Sequence, residues 1–299
     1  MKKLICLLLA LLLPLTACAQ TLVCGAEEGT SMADLAAVLA ELCGWDLSLD
    51  EDEAAAANDM LAEAGTVCLG TQLTQIRSLQ GYTDQDLRDA MTPVLLCAKD
   101  DVWVVMQAEA AASLGVADLA QLRAWIEANE YAAIMMRPLD ADVYDRAVCS
   151  LMDAFCLDQE LFFDTEDMVA AMDASTPYVL LTGSASALAL SAEGYTVLGC
   201  LSAARGAAFP ELLCADEAGM PVCDGEQLML MVKKGTKTSA ILSSAKAAVA
   251  DARWTEALAA THLQSASLEG DDLAAQVKAQ FADYVDYMTA EGLFFYEEE

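Results

Sequence analysis

Few side chains in this chain have the types and spacing that do covalent chemistry. A single histidine, His262, stands among 47 acidic and 15 basic residues. It lies in a polar stretch with no matched carboxylate or thiol, and so reads as a surface residue. No GxSxG, HExxH, phosphate-loop or dinucleotide glycine pattern occurs. Those absences set enzyme chemistry aside, imply no cofactor, and leave no histidine-rich metal site. The run Asp50-Glu51-Asp52-Glu53 lacks the glycine and spaced ligands of a calcium loop. It reads as a solvated loop leading into a helix from Ala54, with acids favourable near the helix start.

The clearest modification signal ends at Cys18. Lys2 and Lys3 form a positive start, and Leu4 to Leu13 is an apolar stretch of signal-peptide length. That stretch falls short of the roughly 20 apolar residues a membrane-spanning helix needs. Leu15-Thr16-Ala17-Cys18 then places small residues before a cysteine, as in the bacterial lipobox, where the cysteine is acylated and becomes the mature N-terminus. The expectation is a lipoprotein signal over residues 1–18 and an acyl anchor at Cys18. The alternative is an ordinary secretory signal that contains a cysteine. One acyl chain holds weakly, and two or three hold a protein on a membrane. The rest of the chain should be a body tethered to the cell membrane on its extracytoplasmic face.

Composition bounds that body. The formal charge is −32 and the apolar fraction is 56%, so the acidity coats a packed core rather than a disordered tail. Such a surface repels nucleic acid and anionic lipid. Eleven cysteines occur, of which Cys6 and Cys18 fall in the leader. Export permits disulfides, but no CxxC pair exists. Cys149 with Cys156 and Cys214 with Cys223 are neighbours in sequence without being shown to bridge. Most of the nine sit in apolar strings such as Thr66-Val67-Cys68-Leu69, as buried small hydrophobes do.

The elements that must position any site alternate in kind. Apolar runs at 22–24, 66–69, 102–106, 132–136, 178–181, 197–201 and 228–232 read as strands buried on both faces of largely parallel sheets. Amphipathic helices fall between them. Thr30 or Ser31 caps a helix carrying Leu35, Val38, Leu39 and Leu42, and Asp118 begins another carrying Leu119, Leu122 and Ile126. Residues 239–258 read as one long helix, and 281–288 as part of a last one. The expected class is α/β, in doubly wound layers.

Several stretches resemble the solute-binding proteins of tripartite tricarboxylate transporters. Phe209-Pro210-Glu211-Leu212-Leu213, followed by Glu217-Ala218-Gly219-Met220-Pro221, is similar to a leucine-proline-aspartate and glutamate-alanine-glycine-leucine-proline stretch of that family. Thr92-Pro93-Val94 before the 102–106 strand is a second match. Lys234-Gly235-Thr236, with Ala250-Asp251-Ala252 at a helix end, is a third. The order runs from about Cys24 to Gly292. The resemblance implies a two-lobed clamshell of the type II periplasmic-binding-protein kind, each lobe a mostly parallel sheet flanked by helices. Residues 19–105 plus 225–299 would form lobe 1 and residues 106–224 lobe 2. It further implies a small organic solute, carboxylate or amino-acid-like, held at strand ends and helix N-termini, and membrane permease subunits as partners.

Carried over loop by loop, the resemblance places Gly29, Thr30 and Ser31 in a first cleft loop and Thr71 and Gln72 in a second. The third departs from the family pattern with Met136-Arg137-Pro138-Leu139-Asp140. There Arg137 would replace several amide donors with one bidentate fork, or else pair with Asp140 or Asp142 on the surface. Asp164 and Thr165 stand in a fourth loop, Thr182 and Ser184 in a fifth. Glu27, Glu28, Asp140 and Asp164 tilt the preference towards a neutral, zwitterionic or cationic solute. The altered loops also leave a second functional class: an envelope interaction or sensory lipoprotein that keeps the clamshell without its transport ligand.

Overall fold

The computed structural model describes residues 20–138 and 143–292. The expected leader and Cys18 lie outside the described residues, as do Leu139, Asp140 and the acidic end 297–299. Two sheets organise the chain. The first joins β1 (Thr21–Gly25), β2 (Asp46–Asp50), β3 (Thr66–Gly70), β4 (Met91–Lys99), β10 (Gln227–Lys233) and β11 (Gln264–Glu269) in the order β11-β4-β10-β3-β1-β2. The second joins β5 (Trp103–Met106), β6 (Ile134–Pro138), β7 (Asp158–Phe162), β8 (Tyr178–Thr182) and β9 (Thr196–Cys200) in the order β7-β6-β8-β5-β9. Each sheet makes one lobe of an α/β, two-lobed molecule. The chain crosses between lobes twice, after β4 and again between β9 and β10.

The sheets are mixed. In lobe 1, β1 runs parallel to β2 and β3, whereas β10 is antiparallel to β3 and β4, and β4 to β11. In lobe 2, β6 runs parallel to β7 and β8, and β5 is antiparallel to β8 and β9. The parallel strands are those returned by helical crossovers, as expected. The reversed central strands β5 and β10 are the first in each sheet after a passage from the other lobe. Because Trp103 to Val105 pair with β8 and β9, the first passage runs through residues 100–102, slightly before the break expected after 105.

Helices cover both faces of each sheet. In lobe 1, α1 (Ser31–Cys43), α11 (Ser239–Val249) and α12 (Ala252–Thr261) bury Leu35, Leu39, Ile241, Ala245, Trp254 and Leu258 on one face. On the other face, α2 (Glu53–Ala62) and α13 (Gly270–Glu291) bury Ala57, Met60, Leu273, Val277 and Phe281. In lobe 2, α6 (Leu119–Ala128) and α7 (Val143–Ala154) pack Leu122, Ile126, Val148 and Leu151 on one face. There α8 (Thr165–Ala171) and α9 (Ser184–Ala192) pack Met168, Ala187 and Leu190 on the other. Thr30 caps α1, accepting from Ala33 N at 3.3 Å, and Asp118 caps α6, accepting from Gln121 N at 2.8 Å.

One helix expectation is corrected. Residues 239–258 form two helices, because Asp251 Oδ1 accepts from Arg253 N at 2.9 Å and starts α12. A short acid that can bond a nearby amide favours a new helix start over an interior position. All nine cysteines of the described residues are free thiols, seven of them buried. Cys149 and Cys156 are not bridged, nor are Cys214 and Cys223.

Candidate functional site

The C-terminal ends of the parallel strands set the site. In lobe 1, Gly25 pairs with Asp50 and Cys24 with Leu69, so β1, β2 and β3 end at one level. From that edge start α1, α2 and α3 (Gln72–Leu79). In lobe 2, Pro138 pairs with Phe162, and α8 and α9 start from the ends of β7 and β8. Both edges abut the inter-lobe passages. Gln72 Nε2 donates to Gly225 O at 2.7 Å, and Gln227 N donates to Gln72 Oε1 at 2.6 Å. Asp100, in the other passage, accepts from Ser184 N at 3.0 Å and from the Ser184 hydroxyl.

Glycines let the backbones approach there. A Cβ on Gly25 would fall inside the backbone of Asp52 and Glu53, and one on Gly183 inside the Asp100 carboxylate. The second contact is what allows an acid of the passage to sit on the N-terminus of α9.

The sequence-expected residues divide into two groups. Gly29, Thr30 and Ser31 are exposed at the start of α1, Gly29 with φ +87° in the turn. Asp164 and Thr165 are exposed at the start of α8, where Asp164 Oδ1 accepts from Asp167 N at 2.9 Å. The others are engaged inside the protein. Thr71 is buried, donating to Glu53 Oε1 at 2.7 Å and accepting from Leu73 N at 3.1 Å. Both ends of the Gln72 amide hold the second passage. Thr182 is buried at the end of β8. Buried Ser184 accepts from Trp103 Nε1 at 2.9 Å in addition to its bonds to Asp100.

Arg137 is likewise engaged. Its guanidinium is buried against Asp145, itself buried, and reaches Gln159 Oε1 and the Tyr287 hydroxyl, each at 3.2 Å. Tyr287 also donates to Asp145. The partner is thus an acid in the first turn of α7, in a cluster that ties lobe 2 to α13. Alternation along β6 turns Met135 and Arg137 to the α7 face and Met136 to the opposite one.

Sequence patterns missed Glu53, Asp100, Asp145 and Tyr287. Glu53 is not a solvated loop acid: its carboxylate accepts from the hydroxyls of Thr71 and Thr74, the latter at 2.6 Å. Burial pushes its pKa up, and those hydroxyl bonds oppose the rise. Asp100 is pushed up by burial, with its Ser184 bonds opposing and the Asp101 charge assisting. Asp50 is raised by burial and by Asp59 and Asp52, and its Oδ2 is buried without a partner among the described residues. The burial-driven thiol of Cys24, beside Glu53 and Asp50, reaches about 12. The edges are therefore acidic, and Asp52, Asp164 and Asp100 already accept from amides at the starts of α2, α8 and α9. Among the described residues, no group of three or more His, Cys, Asp or Glu side chains could hold a metal ion. No helix among them is long and apolar enough to cross a membrane.

Comparison with solved structures decides the architecture. A tripartite tricarboxylate-type (TctC) solute-binding protein from Polaromonas superposes with a TM-score of 0.76 at 15% identity, covering 91% of this chain and 98% of that one. This chain has that fold. Two Rhodopseudomonas palustris proteins share it at 18% identity. Rpa4515, solved with adipate, has a TM-score of 0.62 over 92% of this chain and 97% of its own. MatC, solved with malate, has a TM-score of 0.57 over 90% and 98%. No family model and no curated protein matches the sequence.

Proposed function

We propose that this chain is an extracytoplasmic solute-binding protein, held on the membrane through acylated Cys18, that captures a small organic solute between its lobes for a tripartite tricarboxylate-type transporter. The observation that carries the reading is the pair of strand edges, each opening into several helix N-termini and each abutting the inter-lobe passages, in a fold shared along nearly the whole chain with solute-binding proteins. Sites of α/β folds form at such edges. In this reading the chain up to the 100–102 passage, together with residues 225–299, serves as one lobe and residues 103–224 as the other, with the passages as hinges.

Gly29, Thr30, Ser31, Asp164 and Thr165 line the mouth of the site. Thr71, Gln72, Arg137, Thr182 and Ser184 shape its walls. The acids at the edges favour a solute that brings an amino group, with a carboxylate only as part of a zwitterion. The solute-loaded form would dock on membrane permease subunits. A thermal-shift panel of dicarboxylates, amino acids, amines and vitamins on the purified protein tests this. A saturable rise in melting temperature with one class is expected, because a ligand of the folded state stabilises it by mass action. No rise with any member would overturn the proposal and favour an interaction lipoprotein with a disused cleft.

A further inference from the structure

Beside the strand edge of lobe 1, α13 reaches out of that lobe and packs against α7 of lobe 2. Ile76 of α3, Cys149 of α7 and Tyr284, Tyr287 and Met288 of α13 form one buried cluster. Arg146 of α7 makes a two-point ion pair with Asp283 of α13, at 2.7 Å and 2.6 Å. Beside this contact lies a cavity of about 210 Å³, walled by Gln72 of lobe 1, by α7, by residues 222–224 of the second passage and by α13. That volume equals about seven waters at ~30 Å³ each.

The polar groups of the walls are unevenly used. The donors face protein acceptors. Arg146 Nε and Nη2 go to Asp283 and its Nη1 to Ser150 Oγ at 2.9 Å. Ser150 Oγ donates to Arg146 O at 3.1 Å. Gln72 Nε2 is held by Gly225 O, and Gln280 Nε2 by Gln227 Oε1 at 3.0 Å. Two acceptors are left over, one buried and one on exposed Asp224. Gln280 Oε1 is buried with no partner, and Asp224 makes no ion pair among the described residues. Asp224 and Asp283 also outnumber Arg146. A buried acceptor without a donor costs free energy until something donates to it.

We propose that this cavity is a second ligand site, adjoining the strand-edge site at Gln72, that takes a small organic cation bearing a primary ammonium group. The ammonium supplies donors only, which suits the unpartnered Gln280 Oε1 and the Asp224 carboxylate, and its charge offsets the excess acid. The chain's large negative charge raises the local concentration of such cations. Because the walls come from both lobes, an occupant bridges α7, α13 and the second passage, and so favours one arrangement of the lobes.

The test is titration of ethanolammonium into the full chain in detergent at pH 7 and low salt, read by calorimetry and melting temperature, with acetate and calcium as controls. The wild type should bind ethanolammonium saturably. Asp224→Asn and Gln280→Leu should each weaken it tenfold or more, whereas Ser31→Ala, at the strand-edge site, should leave it unchanged. Absence of saturable binding would overturn the proposal, as would binding that survives both cavity substitutions. Equal or tighter binding of acetate or calcium at the same residues would overturn the ammonium assignment. An amine hit in the solute panel is assigned to the strand-edge site only if Ser31→Ala and Thr165→Val weaken it and Asp224→Asn does not, so the two proposals fail separately.

Discussion

Arg137→Leu separates a structural arginine from a ligand-holding one. Arg137 and Asp145 have side-chain exposures of 8% and 1%, so the substitution leaves Asp145 buried with its ion-pair partner gone. Breaking a buried pair from one side costs about 3–5 kcal/mol. At roughly 2–4 °C per kcal/mol for a domain of this size class, the melting temperature should fall by roughly 6–20 °C. Tyr287→Phe removes hydroxyl bonds to both partners and should cost about 1–2 kcal/mol. The two losses should couple, because the side chains share one network. Converting Arg137 and Asp145 together to leucine should recover most of the stability, since no charge is then stranded. Urea unfolding followed by the fluorescence of buried Trp103 and Trp254 measures all four variants. An Arg137→Leu protein that unfolds like the wild type yet loses its solute would refute the structural account.

Other perturbations follow from the same geometry. Glu53 has a raised pKa in the fold, so the folded state binds the proton more tightly than the unfolded one. Its contribution is fully present below the ordinary carboxylate value of 4.5 and is lost as pH rises through the raised value. Glu53→Gln should therefore be more stable than the wild type at pH 7, with the advantage shrinking to nothing below about pH 4; a pH-independent difference in melting temperature would contradict this. Asp251→Ala should lower stability by about 1 kcal/mol through loss of the α12 cap, measurable by urea unfolding. Maleimide labelling with mass-spectrometric mapping should find Cys156, the exposed thiol, modified first. Cys24, Cys97 and Cys68 should resist until the protein unfolds, since burial holds them protonated.

The sequence disclosed most central strands, though not β4 (Met91–Lys99), and the capped helices because both are written in local chemistry. Leu22 to Cys24, Thr66 to Leu69 and Leu228 to Val232 are apolar because both faces are covered. Thr30 and Asp118 announce helices because they bond amides three residues on. Three of the four edge strands escaped notice: Asp46–Asp50, Asp158–Phe162 and Gln264–Glu269 end their sheets and carry the charges that protect an open edge, so they read as loops, whereas the apolar edge strand Thr196–Cys200 was read. The site was legible only as a set of loops. Which side chains there are engaged depends on partners far apart in sequence. Gln72 bonds Gly225, Ser184 bonds Asp100, and Arg137 reaches Tyr287 across 150 positions. No local pattern encodes such pairings. The position of Glu53 next to Thr71 was equally hidden, because it requires β1 to lie between β2 and β3.

The central claim is that a solute is held between the two strand edges. Its most direct test is calorimetric titration of the best member of the solute panel into wild-type protein, Ser31→Ala and Thr165→Val. These exposed hydroxyls sit at the starts of α1 in lobe 1 and α8 in lobe 2. The account predicts one solute per chain, with affinity reduced about five- to tenfold by each substitution, as for loss of one hydrogen bond worth about 1–1.5 kcal/mol. Binding that ignores both substitutions, or no binding at all, would contradict it.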